Sequence, residues 1–272
     1  LVKGASKGEG LGNQFLSNIR LTDAICHVVR CFDDADITHV EGSVDPIRDI
    51  EIINLELIMA DLQTIENRLS KVERKAVTNK DKDAMAEVVV LKKLREALEA
   101  GRPARSVELD KDELALIKAF SLLTIKPMIY IANMSDEEIA DPKENPYFQK
   151  VKELADSEHN EVVPICAKIE EELSELDKEE KLEFLNELGI QESGLDKVIK
   201  TAYRILDLCT FLTAGEDECR AWTFHRGMLA PQCAGVIHTD FEKGFIRAEC
   251  YKFEDIDKLE TEQAVKEAGK LR

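Results

Sequence analysis

The chain reads as an α/β fold: a parallel sheet with crossover helices, interrupted by a long helical hairpin and followed by a smaller β-rich module. Three observations predict this. Residues 126–168 alternate between β-rich apolar runs and an intervening helical stretch. Residues 55–72 carry apolar side chains at alternating spacings of three and four, and a second apolar series at helical spacing follows over 88–98. Beyond residue 206 the helical texture gives way to short β-leaning runs punctuated by glycine.

Composition bounds the possibilities. With 272 residues, 44% hydrophobic and 34% charged, the chain is expected to be soluble, folded and rich in helix. A net charge of -18 argues against a protein that coats nucleic acid by bulk electrostatics, but leaves room for a local basic patch docking on an RNA-rich particle. No apolar run approaches the roughly 18 residues of a membrane span, and no secretory signal opens the chain. Cysteines stand at 26, 31, 166, 209, 219, 233 and 250, odd in number and never spaced Cys-x-x-Cys. Neither a disulfide framework nor a zinc site follows, and a reducing cytoplasm is the expected location. The histidines, His27, His39, His159, His225 and His238, contain no i, i+4 pair, so no metal set is expected.

The elements follow in order. Leu1-Val-Lys-Gly-Ala-Ser-Lys-Gly-Glu-Gly-Leu-Gly-Asn13 is a glycine-rich loop running into an amphipathic segment from Gln14 to Ile25. Gly4, Gly8, Gly10 and Gly12 let backbone amides approach an anion closely. On its own the loop reads equally as a flexible linker, and the phosphate-loop pattern Gly-x-x-x-x-Gly-Lys-Ser/Thr occurs nowhere in the chain. A first residue of Leu rather than Met suggests a piece cut from something longer, starting mid-domain. Residues 24–32 form a short apolar run expected to be a buried strand, with a turn at Asp33-Asp-Ala-Asp36. His27 within it reads as a core residue. His39, beside a loop, reads as structural or as an acid, base or orienter of water.

From Asp49 the pattern becomes helical. Leu55, Ile58, Leu62, Ile65, Leu69 and Val72 define a coiled-coil seam. The polar break at 78–83 separates it from a second helix bearing Val88, Leu91, Leu94 and Leu98, which Gly101 and Pro103 stop. The two should pair as an antiparallel hairpin. A third helix is expected over 111–122. Strand-like runs at 126–132 and 161–166 then flank a helix over 146–157, and an acidic helix is expected from Ile169 to Leu176. Asn133-Met-Ser-Asp136 and Cys166-Ala-Lys168 fall at the carboxyl ends of those strands, where α/β sheets bind ligands. In the last module, β-leaning runs over 223–257 turn at Gly227, Gly235 and Gly244. Trp222, Phe241, Phe245 and Phe253 are expected to fill a small core, and Glu260–Lys270 to be helical. If that module is a half-open sheet, its closing strand lies beyond Arg272.

An Asn-x-x-Asp loop after a strand has a use in nucleotide pockets. Its carboxylate can accept the paired N–H donors of guanine while the Asn tethers neighbouring backbone. Met134 stands where such loops usually carry Lys, keeping apolar cover without the charge. Its backbone N–H and C=O could instead pair with adenine, so the side chains leave guanine and adenine both open. The same four residues also read as an Asx turn or helix cap.

Residues 1–15 resemble the second switch of the YchF/Obg-like ATPases, and residues 230–248, Ala-Pro-Gln-Cys-Ala-Gly-Val-Ile-His-Thr-Asp-Phe-Glu-Lys-Gly-Phe-Ile-Arg-Ala, resemble their C-terminal TGS domain. The order of parts is also similar: switch, helical hairpin, Asn-x-x-acid loop, TGS module. The resemblance implies a P-loop NTPase G domain (1–48 and 123–205) with a coiled-coil hairpin insert (49–122) and a ubiquitin-like β-grasp TGS domain (206–272). It implies ATP preferred over GTP, association with the ribosome through its large subunit, a monomer, and no membrane contact. Asn133, Met134 and Asp136 would face the base, with backbone groups of Met134 reading adenine, and Cys166, Ala167 and Lys168 would form the second base-side loop. Asp136 departs by one methylene from the Glu that family members commonly carry, which leaves a GTP-preferring member as an alternative; a ribosome-binding nucleotide switch with little hydrolysis, docking through hairpin and TGS module, is another.

The same resemblance places Leu1 at the switch position where Ras-like enzymes carry a water-orienting Gln. Leu cannot polarise water, and His39 corresponds to the histidine implied to do so. The phosphate loop and the Mg²⁺ ligands would lie upstream of Leu1, so the 272 residues alone are expected to be inactive.

Overall fold

The computed structural model describes residues 4, 12–79, 81–215 and 218–272. They fall into two compact units, Leu1–Leu206 and Asp207–Arg272.

The first unit is built on three parallel strands, β1 (Ile25–Arg30), β2 (Met128–Asn133) and β3 (Glu161–Ile165), in the order β1-β2-β3. The register pairs Ile25 with Met128 and Ile129 with Glu161. β2 is the middle strand, and its continuous apolar run is buried on both faces, as a parallel strand covered by helices requires. β1 departs from the expected buried strand: Val29 is buried but Val28 is 64% exposed. The reason is position, since β1 is an edge among the described strands.

α1 (Gly12–Arg20) precedes β1, and the hairpin follows as α2 (Pro46–Asn79) and α3 (Lys82–Glu99). Near its start α2 packs on the sheet through Ile50, Leu57 and Ala60. Further along, Ile58, Ile65, Leu69 and Val72 face Leu91, Leu94 and Leu98. Leu55 was expected in that seam and is 54% exposed instead, because there α2 turns its other side to the sheet. Asp81 caps α3, accepting from the Asp83 and Ala84 amides, and Arg68 grips the Glu87 carboxylate at 2.5 and 2.8 Å across the hairpin. α4 (Lys111–Ile117) and a 3₁₀ turn over Lys118–Phe120 supply the third helix.

Asp61 of α2 is fully buried and accepts from Leu123 N at 2.8 Å, Thr124 N at 2.7 Å and Thr124 Oγ1 at 2.7 Å, with Arg20 Nη1 of α1 at 3.5 Å. Burial pushes its carboxyl up, while those hydrogen bonds and Arg20 pull it back. The arrangement fixes α1, α2 and the loop before β2 to one another.

After β2 come α5 (Pro146–Ser157), β3, α6 (Ala167–Glu175), α7 (Lys178–Glu187) and α8 (Gly194–Ile205). The last two have no counterpart in the sequence reading. α8 covers the second face of the sheet, setting Val198, Ala202 and Ile205 against Ile129, Ile131 and Val163. Glu170 of α6 accepts the Gly194 and Leu195 amides at 2.6 and 3.1 Å, neutralising the start of α8. A Cβ at Gly194 would stand 2.7 Å from Ile165 Cγ2, so only glycine fits.

The second unit opens with an antiparallel hairpin, β4 (Leu208–Ala214) and β5 (Cys219–His225), followed by α9 (Ala230–Ile237), α10 (Thr239–Lys243), α11 (Phe253–Leu259) and α12 (Glu262–Glu267). Of the β-leaning runs expected over 223–257, residues 223–225 lie in β5, whereas 230–237, 239–243 and 253–257 are helical rather than β. Pro231 stands in the first turn of α9, the Leu229 amide donates to Gln232 Oε1, and His238 Nδ1 accepts from the Asp240 amide at the start of α10. Gly235 lies inside α9 and marks no turn, whereas Gly227 does, at φ +87°. The expected small core also differs, for Phe241 and Phe253 are exposed, and among the described residues of this unit Val265 of α12 is the fully buried apolar side chain. Cys250 and Arg272 exchange backbone hydrogen bonds at 2.9 Å. Among the described residues no helix is long and apolar enough to cross a membrane.

Candidate functional site

The carboxyl ends of the three parallel strands open onto a cleft of about 650 Å³. Asp33 and Asp34 after β1, residues 133–138 after β2, residues 166–168 after β3, and Tyr147 of α5 line it. Asn133 stitches the floor: its Oδ1 accepts the Ala167 amide at 3.0 Å, and its carbonyl accepts the Cys31 amide at 2.8 Å. Lys168 Nζ donates to Asp136 Oδ2 at 2.5 Å across the mouth. The Lys168 ammonium, helped by the backbone amides of Asp136 and Glu137, holds the Asp136 carboxyl below the usual carboxylate range, and Asp136 raises Lys168 in turn. The two loops expected to face a base thus share one cleft.

Met134 does not stand as expected. Its N–H continues the β2–β3 ladder, donating to the Ile165 carbonyl at 2.8 Å, and its side chain is 2% exposed within the core. That amide is spent on the sheet, so it cannot also pair with a base, and only its carbonyl remains for recognition. Cys166 is likewise buried, at the N-cap of α6. Of the amides on that loop, Ala167's is held by Asn133.

Sequence reasoning missed three contributors. Asn145 is buried, capping α5 through the Phe148 amide at 2.8 Å and donating Nδ2 to the Cys31 carbonyl at 2.9 Å, which fixes the end of β1. The Asn-Pro pair at 145–146 is the cap signature that could have revealed it. Tyr147 donates its hydroxyl to Asp33 Oδ2 at 2.8 Å, and that carboxylate raises the Tyr147 phenol. Ser135 Oγ donates to Glu138 Oε2 at 2.8 Å, shaping the loop after β2.

His39 lies outside the lining of the cleft, at the start of α2. Its Nδ1 accepts the Glu41 amide at 3.1 Å, so Nε2 carries the proton and donates to Asp49 Oδ2 at 2.8 Å. Asp49 is also held by Arg48 at 3.3 Å. In the glycine loop, Gly4 at φ +89° donates its amide to Glu56 Oε1 at 2.6 Å, and Gly12 is the buried first residue of α1. The anion that Gly4 approaches is therefore a buried side chain of α2. Leu1, Gly8 and Gly10 lie outside the described residues.

The chain was compared with known proteins. A family model named YchF-GTPase_C, "Protein of unknown function (DUF933)", matches residues 208–272. A protein of Bacillus subtilis (strain 168) named "Ribosome-binding ATPase YchF" is 58% identical over 272 residues, covering 100% of this chain and 74% of that protein. Proteins of the same name from Escherichia coli O157:H7 and Mycoplasma pneumoniae are 53% and 43% identical, over 100% of this chain and 74% and 75% of theirs. The solved structure of the Schizosaccharomyces pombe YchF GTPase superposes with a TM-score of 0.83 at 40% identity, covering 99% of this chain and 72% of that one. With such identity along its whole length, the chain belongs to the YchF family.

Proposed function

We propose that this chain carries the base-side half of an ATP-binding cleft in a ribosome-associated ATPase. What supports the reading is the meeting of Asn133, Asp136, Ala167 and Lys168 at the ends of neighbouring parallel strands, together with relatives named ribosome-binding ATPases. The base assignment follows from which groups are already occupied. A free Met134 carbonyl accepts from an exocyclic amino group, which adenine has at the edge where guanine has a carbonyl. The Asp136 carboxylate, engaged by Lys168 and its own turn, competes poorly for guanine's paired donors. Both favour ATP over GTP.

In the intact cycle His39 is the group that orients water, with Asp49 fixing its tautomer. Triphosphate chemistry needs a phosphate loop that these 272 residues lack, so hydrolysis by this polypeptide alone is expected at background. Mg²⁺ would accompany ATP and neutralise the charge of its phosphates. The unit Asp207–Arg272 serves as the TGS module, its β4–β5 hairpin and following helix matching the opening of a β-grasp fold, and with the α2–α3 hairpin it docks on the ribosome.

The test is a titration of the chain with adenosine and guanosine, following the Ala167 amide and the Asn133 side-chain amide by NMR. Saturable shifts with adenosine tighter are expected. Tighter guanosine, or shifts confined to other residues, would overturn the base reading. Release of phosphate from ATP and Mg²⁺ by the 272-residue chain above the uncatalysed rate would overturn the claim of inactivity.

A further inference from the structure

A second crevice, of about 360 Å³, opens in the first unit at the opposite end of the sheet, among the loops that lead into β2 and β3. Ile50 and Leu57 of α2, Pro103 beyond α3, and Leu154 of α5 give it apolar walls. Its polar end is Arg105 and Glu158. These two are unequally satisfied. Glu158 Oε2 accepts from Tyr130 OH at 2.7 Å, from Asn160 Nδ2 at 2.6 Å and from Arg105 Nη2 at 3.4 Å. Arg105 has five N–H donors to place, yet its partners are the Thr124 carbonyl and Glu158, both at 3.4 Å, and its buried Nε has no partner among the described residues. Nε is closed off from the crevice, so the donors Arg105 can offer a ligand are the remaining N–H groups of Nη1 and Nη2, in a recess whose other polar lining residues are Glu51, Asn54, Thr124 and Glu158.

The local charges narrow the ligand. Glu158 and the exposed Glu51 on the rim oppose an anion, and Arg105 opposes a cation. We propose that this crevice is a second ligand site, independent of the nucleotide cleft, for a compact, neutral, largely apolar molecule bearing one carbonyl-type acceptor for Arg105. Such a ligand touches α2, the segment after α3 and α5 at once, and so stiffens the root of the helical hairpin against the sheet.

The test uses the whole chain with two probes of nearly equal shape, acetophenone and its hydrocarbon counterpart α-methylstyrene. Binding is followed through the methyl resonances of Ile50, Leu57 and Leu154. Saturable shifts are expected for both, with the ketone tighter by roughly three- to tenfold, the span of one net hydrogen bond. Arg105→Met should equalise the two probes, and Leu55→Trp, at an exposed rim position, should weaken both. Equal affinities in the unaltered chain would overturn the role of Arg105, a comparison that needs no variant to fold. Absence of saturable shifts at these methyls, or binding unchanged by Leu55→Trp, would overturn the site itself.

Discussion

His27 is held neutral in the fold, and that should make stability fall as the solution is acidified. The ring sits on β1 against Tyr130, centroids 5.7 Å apart, and its buried Nδ1 finds no hydrogen-bond partner among the described residues. Burial pushes the imidazole down from 6.5 to about 4. The sign follows from linkage: the unfolded chain takes up a proton that the folded one refuses, so the contribution is complete above pH 6.5 and is lost as pH falls towards 4. Across the whole window the loss is about 3 kcal/mol, and between pH 7.5 and pH 5 about 2 kcal/mol. Urea unfolding of the chain and of His27→Phe at both pH values measures it. Phe keeps the ring contact and does not titrate, so carboxylates common to both proteins cancel in the difference. The unaltered chain should lose about 2 kcal/mol more than the variant on acidification. Parallel losses would refute the claim that the His27 imidazole is desolvated beside Tyr130 with its Nδ1 unpartnered.

Other outcomes can be stated briefly. The Asp136 carboxyl, followed by carbon NMR, should titrate below 3.8, so the Lys168 contact persists at pH 5 and is lost as pH falls through the lowered midpoint; Lys168→Met should raise that midpoint. Asp61→Ala should destabilise the first unit by about 3–5 kcal/mol in urea, because two amides, a hydroxyl and Arg20 lose a buried partner. Leu94→Ala in the hairpin should cost about 2–5 kcal/mol by the same measurement, as expected of a fully buried leucine. Glu170→Ala should speed hydrogen exchange at the Gly194 and Leu195 amides by tenfold or more, about 1.4 kcal/mol, while leaving exchange in β2 unchanged.

Much of the first unit was legible because its signals are periodic and local. The spacing of Ile58, Ile65, Leu91 and Leu94 specifies a hairpin whose two helices need little else to find each other. The β-rich apolar run over 126–132 reads as a strand, which the structure buries on both faces, and Pro146 marks the start of α5. The cleft was legible in part, since the loops after β2 and β3 must meet if the strands are parallel neighbours, while the contributions of Asp33 and Tyr147 were not foreseen. Its occupancy was not. That the Met134 amide is consumed by Ile165 depends on the ladder running one residue past β2, which no local pattern states. α8 was missed although Ser193 caps it locally through the Asp196 amide; only the contribution of Glu170, 24 residues earlier, lay beyond local reading. The segment 230–243 misled because its valine, isoleucine and glycines read as β, whereas Pro231 and the Gln232 cap decide for helix.

The junction of Arg20, Asp61 and Thr124 clamps α2 near the foot of the hairpin. α2 continues for eighteen residues past Asp61, about 27 Å of stiff rod, and Gly4 holds the same helix at Glu56, on the other side of that clamp. A tilt of about 5° at Asp61 would displace the far end by about 2 Å. The firmness of the clamp therefore sets how closely the extremity of the hairpin is placed.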